Sequence, residues 1–102
     1  YNKTLDKGGG VSNCSGLIYN NTFIGNEADE GGALYECHGN IYRNNFNRNI
    51  ADSGGSAKWC NGIIEKNLFT NNLSPGHGGA LTSCYGTIQN NLFTGNGKNS
   101  NS

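Results

Sequence analysis

Four cysteines, Cys14, Cys37, Cys60 and Cys84, stand 23, 23 and 24 residues apart. If the spacing places them in register on adjacent strands, their Cα atoms lie ~4.8 Å apart, inside the range a disulfide can bridge. Cys14–Cys37 and Cys60–Cys84 are then the candidate bridges, and an even cysteine count suits a secreted chain. The competing reading is a column of reduced, buried thiols acting as small apolar fillers. It is favoured, because directly opposed positions on parallel strands strain a disulfide. One thiol per unit also lacks the tetrahedral closure of a zinc site.

Asp6, Asp29 and Asp52 each stand two residues before a glycine pair. Stacked carboxylates repel unless something neutralises them, so a bound Ca²⁺ with Glu30 nearby is one expectation. The other, preferred here, is that each Asp caps its turn by accepting backbone N–H bonds from the glycines. No other cofactor is expected.

A second outward row holds Tyr19, Tyr42, Glu65 and Gln89, with Arg43 and Lys66 beside it. Glycosidase chemistry needs two carboxylates at working distance, and Glu65 has no evident second, so the chain is not expected to be an enzyme. The tyrosines, with Trp59 and Tyr85, would instead stack on sugar rings, making cell-surface glycans a candidate partner. His38 and His77 read as isolated and solvated. Sequons at Asn2, Asn13 and Asn20 would carry glycans on outward positions, whereas Asn72, also in a sequon, falls at an inward one.

All these residues are positioned by one repeat. Two residues after each cysteine comes a glycine, then Ile18, Ile41, Ile64 or Ile88. Then follow Asn21, Asn44, Asn67 and Asn91; Phe23, Phe46, Phe69 and Phe93; and Asn26, Asn49, Asn72 and Asn96. Alternation with a period of two, as in Cys37, Gly39, Ile41 against His38, Asn40, Tyr42, indicates strands rather than helices. Three short strands per unit, with the third at Gly10-Val11, Ala33-Leu34, Ser56-Ala57 and Ala80-Leu81, describe one coil of a parallel β-helix. The expected fold is all-β: a single-stranded parallel β-helix, a solenoid of about four coils of 23–24 residues over 8–96. Inward positions become columns of like residues, Cys, Ile, Phe and Asn, the amides bonding up and down. Residues 1–7 read as the end of a preceding partial coil and 97–102 as a polar tail. Ser74-Pro75-Gly76-His77, with one extra residue, reads as a bulged loop outside the core.

At 33% hydrophobic and 14% charged residues the chain would suggest disorder, were it not for the repeat. Seven basic residues balance seven acidic ones, which gives no electrostatic case for nucleic acid, and no apolar run reaches a membrane span. The sequence contains no Met and reads as a mature, processed or excised segment. Neither end carries a cap pattern, so the columns are expected either to continue in a longer β-helix or to stack head to tail with another copy.

Gly-Gly-Ala-Leu at 31–34 and 78–81, with Phe-x-x-Asn at 23–26, 46–49, 69–72 and 93–96, resembles the repeat of polymorphic outer-membrane proteins. The resemblance covers about residues 8–96. It implies a right-handed coil and a place among β-helical surface adhesins, hence an extracellular or cell-surface location. Together these features predict a non-enzymatic structural rod that forms a filament or a segment of an adhesin. A carbohydrate-binding or polysaccharide-degrading module is the alternative.

Overall fold

The computed structural model describes residues 8–75 and 77–97. Asp6, Asn2, the expected partial coil 1–7 and residues 98–102 of the expected tail lie outside the described residues. The chain is a parallel β-solenoid of about four turns. Its strands are β1 (Val11–Ser12), β2 (Ile18–Tyr19), β3 (Thr22–Ile24), β4 (Glu27–Glu30), β5 (Leu34–Tyr35), β6 (Ile41–Tyr42), β7 (Asn45–Asn47) and β8 (Ile50–Ser53). They continue as β9 (Ala57–Lys58), β10 (Ile64–Glu65), β11 (Leu68–Thr70), β12 (Leu81–Thr82), β13 (Ile88–Gln89) and β14 (Leu92–Thr94). Three parallel sheets run along the stack, β1-β5-β9-β12, β2-β6-β10-β13 and β3-β7-β11-β14, and β4 pairs with β8 in a fourth.

Corners explain why the strands are so short. Asn13, Glu36, Trp59 and Ser83 follow the strands of the first sheet, and Asn20, Arg43, Lys66 and Asn90 those of the second. Gly25, Arg48, Asn71 and Gly95 follow those of the third. All twelve hold φ between 51° and 68°, the left-handed region that most side chains avoid. A single left-handed residue ends each strand and swings the chain onto the next face. The residue after each corner points inward, and it is Cys after the first corner and Asn after the other two.

The asparagines carry the polar accounting of the interior. Asn44 Oδ1 accepts the Asn21 backbone N–H at 2.8 Å, while its Nδ2 donates to Ile18 O at 2.8 Å and to Asn67 Oδ1 at 3.1 Å. Asn49 is fully buried; its Oδ1 accepts from Asn26 N and Nδ2, and its Nδ2 donates to Phe23 O and Asn72 Oδ1. Each amide thus satisfies corner groups that no strand ladder reaches. Beside them Phe23, Phe46, Phe69 and Phe93 stack with centroids 4.9, 4.7 and 4.9 Å apart and planes within 7° of parallel. The ring spacing is the strand spacing, so the backbone ladder imposes it.

Two expectations about strands need correction. The third strand begins one residue later than predicted, at Val11, Leu34, Ala57 and Leu81. The cause is a kink in which the Ala33 carbonyl accepts from both Gly10 N and Val11 N, and the Ser56 carbonyl from both Ala33 N and Leu34 N. The pair β4–β8 was also unanticipated. Its inward residues are the small Ala28, Ala51 and Ser53, which give little apolar signal. In the following coil Leu73 still bridges to Ile50 and to Gly97, and Pro75, without an N–H, occupies the position equivalent to Asp52. Gly97 therefore pairs with the coil rather than belonging to a tail. Ser74 is likewise not outside the core: it is fully buried, and its hydroxyl donates to Asp52 O at 2.7 Å.

One column contains a misfit. Ser56 is fully buried between Ala33 and Ala80, and its Oγ has no hydrogen-bond partner. A buried hydroxyl left unbonded costs about 1–3 kcal/mol. Ser56→Ala is expected to stabilise the fold by about 1 kcal/mol, which raises the melting temperature by roughly 4–8 °C for a domain of this size. A melting temperature that stays level or falls would show that the hydroxyl has a stabilising partner.

Candidate functional site: the outward ladder, the thiol column and the open coil edge

The outward row on the second sheet forms as the register requires. Tyr19 opposes Tyr42, Tyr42 opposes Glu65, and Glu65 opposes Gln89. The rings of Tyr19 and Tyr42 stack at 5.5 Å with planes 10° apart. Arg43 Cζ lies 5.3 Å and Lys66 Nζ 5.8 Å from the Tyr42 ring centroid, cation–π contacts that hold both bases over the ring. The Gln89 amide donates to the Glu65 carboxylate. Leu17 and Ile63 are exposed beside the row, and with Asn40, Tyr42 and Glu65 they line a shallow hollow. Glu65 thus has a tyrosine and an amide as its ladder neighbours, and no carboxylate opposes it there. Trp59 and Tyr85 meet edge to face at 5.8 Å on another side of the coil. His38 is not isolated: its Nδ1 accepts the Asn61 N–H at 3.3 Å.

No protein-family model, no curated protein and no solved structure matches the chain. Functional assignment therefore rests on the geometry.

The turn-cap reading of Asp29 needs correction. Asp29 and Asp52 are exposed on the outer sides of β4 and β8. Asp29 does not cap the following glycines, because Gly31 N–H donates to Ser53 O and Gly32 N–H to Gly54 O, on the next coil. Glu30, the expected additional calcium ligand, pairs with Lys58 Nζ at 2.7 Å. The sequon residues Asn13 and Asn20 are exposed at left-handed corners, whereas Asn72 is buried in the amide ladder.

All four cysteines are free thiols, so the bridges Cys14–Cys37 and Cys60–Cys84 are absent. In-register residues on parallel strands project their Cβ–Sγ bonds in the same direction, away from the torsion a disulfide requires. The sulfurs of Cys37, Cys60 and Cys84 instead bond to backbone groups at the corner. Cys84 Sγ accepts the Cys60 backbone N–H at 3.4 Å, and Cys37 Sγ lies 3.6 Å from Tyr35 O. Register places the Cys60 side chain between those of Cys37 and Cys84 in the column. Thiol–thiol interaction with Cys60 lowers the Cys37 pKa to about 7 and lowers that of Cys84, and the same two neighbours push Cys60 well up. Sequence reasoning missed this role; its signal was that Cys occupies the same post-corner place as the two asparagine columns.

The last described coil exposes the columns that are buried further in. Ile88 is 41% exposed where Ile64 is 1%, and Phe93 45% where Phe69 is 1%. Cys84 is likewise half-buried where Cys60 is fully buried.

Proposed function

We propose that the chain is a non-enzymatic structural rod of the cell exterior, extended head to tail by further copies into a filament. The observation that supports this most is the edge at Ile88 and Phe93, an apolar strand edge of the kind that pairs with another chain. Stacking a second copy would place half-buried Phe23 on Phe93, continuing a ring column that already repeats at the strand spacing. Equal numbers of acidic and basic residues leave no net repulsion between copies. The carbohydrate-binding alternative has less support. The tyrosine faces a sugar would need are turned toward each other, and Arg43 and Lys66 cover Tyr42.

Sedimentation across a concentration series tests the proposal, with Phe93→Asp as the variant. Expected is concentration-dependent growth for the unaltered chain and a folded monomer for Phe93→Asp, whose carboxylate would be buried unpaired at the joint. A chain that stays monomeric at every concentration would overturn head-to-tail growth. Covering of this edge by neighbouring coils of an adhesin would then be the remaining structural reading.

A further inference from the structure

We propose that Asn61 is a self-modifying site. In the folded chain its side-chain amide is attacked by the backbone nitrogen of Gly62 and converted, with release of ammonia, to isoaspartate or aspartate. The sequence contains two Asn-Gly pairs, Asn61-Gly62 and Asn96-Gly97. A glycine after asparagine puts no side chain in the path of that nitrogen, so both pairs have the chemistry. The fold separates them.

At Asn96-Gly97 every participating group is engaged. Gly97 N–H donates to Asn72 O at 3.1 Å, and Asn96 Nδ2 donates to Phe69 O at 2.8 Å. Asn96 Oδ1 accepts from Asn72 N and Nδ2. Reaction there requires both the nucleophile and the leaving group to give up bonds of the amide ladder. At Asn61-Gly62 neither is held: among the described residues, neither the Gly62 N–H nor Asn61 Nδ2 donates a hydrogen bond. Asn61 is also exposed, which admits water. Its Oδ1 accepts the Tyr85 N–H at 2.8 Å, a donor on the oxygen that gains negative charge as the amide carbon becomes tetrahedral. Asn96 Oδ1 has donors too, so the difference lies in the nucleophile and the leaving group.

The step balances without oxidant or reductant. Gly62 N gives up its proton and bonds to Asn61 Cγ; the Cγ–Nδ2 bond breaks, and Nδ2 leaves as ammonia with that proton. Water then opens the cyclic imide. Addition at Cγ yields aspartate, and addition at the Asn61 backbone carbonyl yields isoaspartate, whose main chain is one atom longer. The coil has no slack at this place. A methyl group on Gly62 would run into the carbonyl oxygens of His38 and Gly39, and one on Gly86 into those of Asn61 and Gly62. The added atom therefore strains the seam between the third and fourth coils, where Asn61 Oδ1 holds Tyr85 N.

The test is incubation of the folded chain at mildly alkaline pH, read by ammonia release, peptide mass mapping and enzymatic methylation of isoaspartate. Expected is a single ammonia per chain, mapped to Asn61 and released roughly tenfold or more faster than any from Asn96, whose donor bonds must first break. In urea the two sites should react at similar rates. Asn61→Gln, which moves the amide one methylene further from Gly62 N, should abolish the release, and isoaspartate-containing chains should melt below unmodified ones. An Asn61 that stays intact in the folded chain would overturn the proposal, as would an Asn96 that reacts as fast or faster. So would undiminished ammonia release from Asn61→Gln. Peptide mapping of the unaltered chain decides the matter even if Asn61→Gln does not fold.

Discussion

Asn49→Ala is expected to cost about 3–6 kcal/mol, enough to unfold much of a domain whose whole stability lies near 5–15 kcal/mol. The side chain is fully buried and makes four hydrogen bonds, two accepted from Asn26 and two donated to Phe23 O and Asn72 Oδ1. Alanine keeps the backbone but leaves those partners short of a bond in a place water does not reach, at about 1–3 kcal/mol each. Asn21→Ala is the matched comparison. It sits at the equivalent of Asn44 in the first described coil, is exposed, and its Nδ2 donates to Tyr19 O alone. Its loss should cost under about 1 kcal/mol. Urea unfolding followed by circular dichroism measures both. Equal losses would mean that the interior amides act as spacers rather than as bonds.

Phe46→Ala is the second large effect, about 4–6 kcal/mol. Truncating a buried Phe costs about 3–5 kcal/mol through lost transfer energy and the cavity left behind, and stacked neighbours add about 0.5–1.5 kcal/mol. Phe46 is fully buried and stacks on Phe23 and Phe69. Relaxation cannot close the gap, because the rings above and below are held at the ladder spacing by their own strands. Phe93→Ala should cost less than half as much, since that ring is 45% exposed and stacks on one side. If the two variants unfold at the same denaturant concentration, the edge at Phe93 is covered in solution even in the dilute chain.

The fold was legible in the sequence because the repeat does the specifying. A residue recurring every 23 or 24 positions has the same neighbour above and below. Reading Phe23, Phe46, Phe69 and Phe93 as one column therefore requires no knowledge of how the corners turn. What escaped was whatever depends on corner geometry. The left-handed residues are as varied as Trp59, Glu36, Arg48 and Lys66, so no residue type announces them. The shift of the third strand comes from one carbonyl accepting two amides. Asp29 looked like a turn cap because the sequence does not say that the glycine amides are taken by the next coil.

The candidate site was less legible for a related reason. A chain that spends its pattern on stacking gives every conserved-looking column a structural use, so spacing alone does not separate a ligand from a filler. Tyr19 and Tyr42 looked like a platform for sugar, yet the same register that aligned them turned their faces toward each other. The cysteines looked like a choice between disulfide and inert filler. Their third role, hydrogen bonding of Cys37, Cys60 and Cys84 to backbone groups at a corner, emerges only once Cys14, Cys37, Cys60 and Cys84 are seen to follow the left-handed Asn13, Glu36, Trp59 and Ser83.

Electron cryo-microscopy of the concentrated, unaltered chain tests the structural-rod proposal most directly. Expected are uniform filaments with a ~4.8 Å repeat along the axis, in which Phe93 of one copy abuts Phe23 of the next. Discrete single particles, or filaments whose joint leaves Ile88 and Phe93 open, would contradict it.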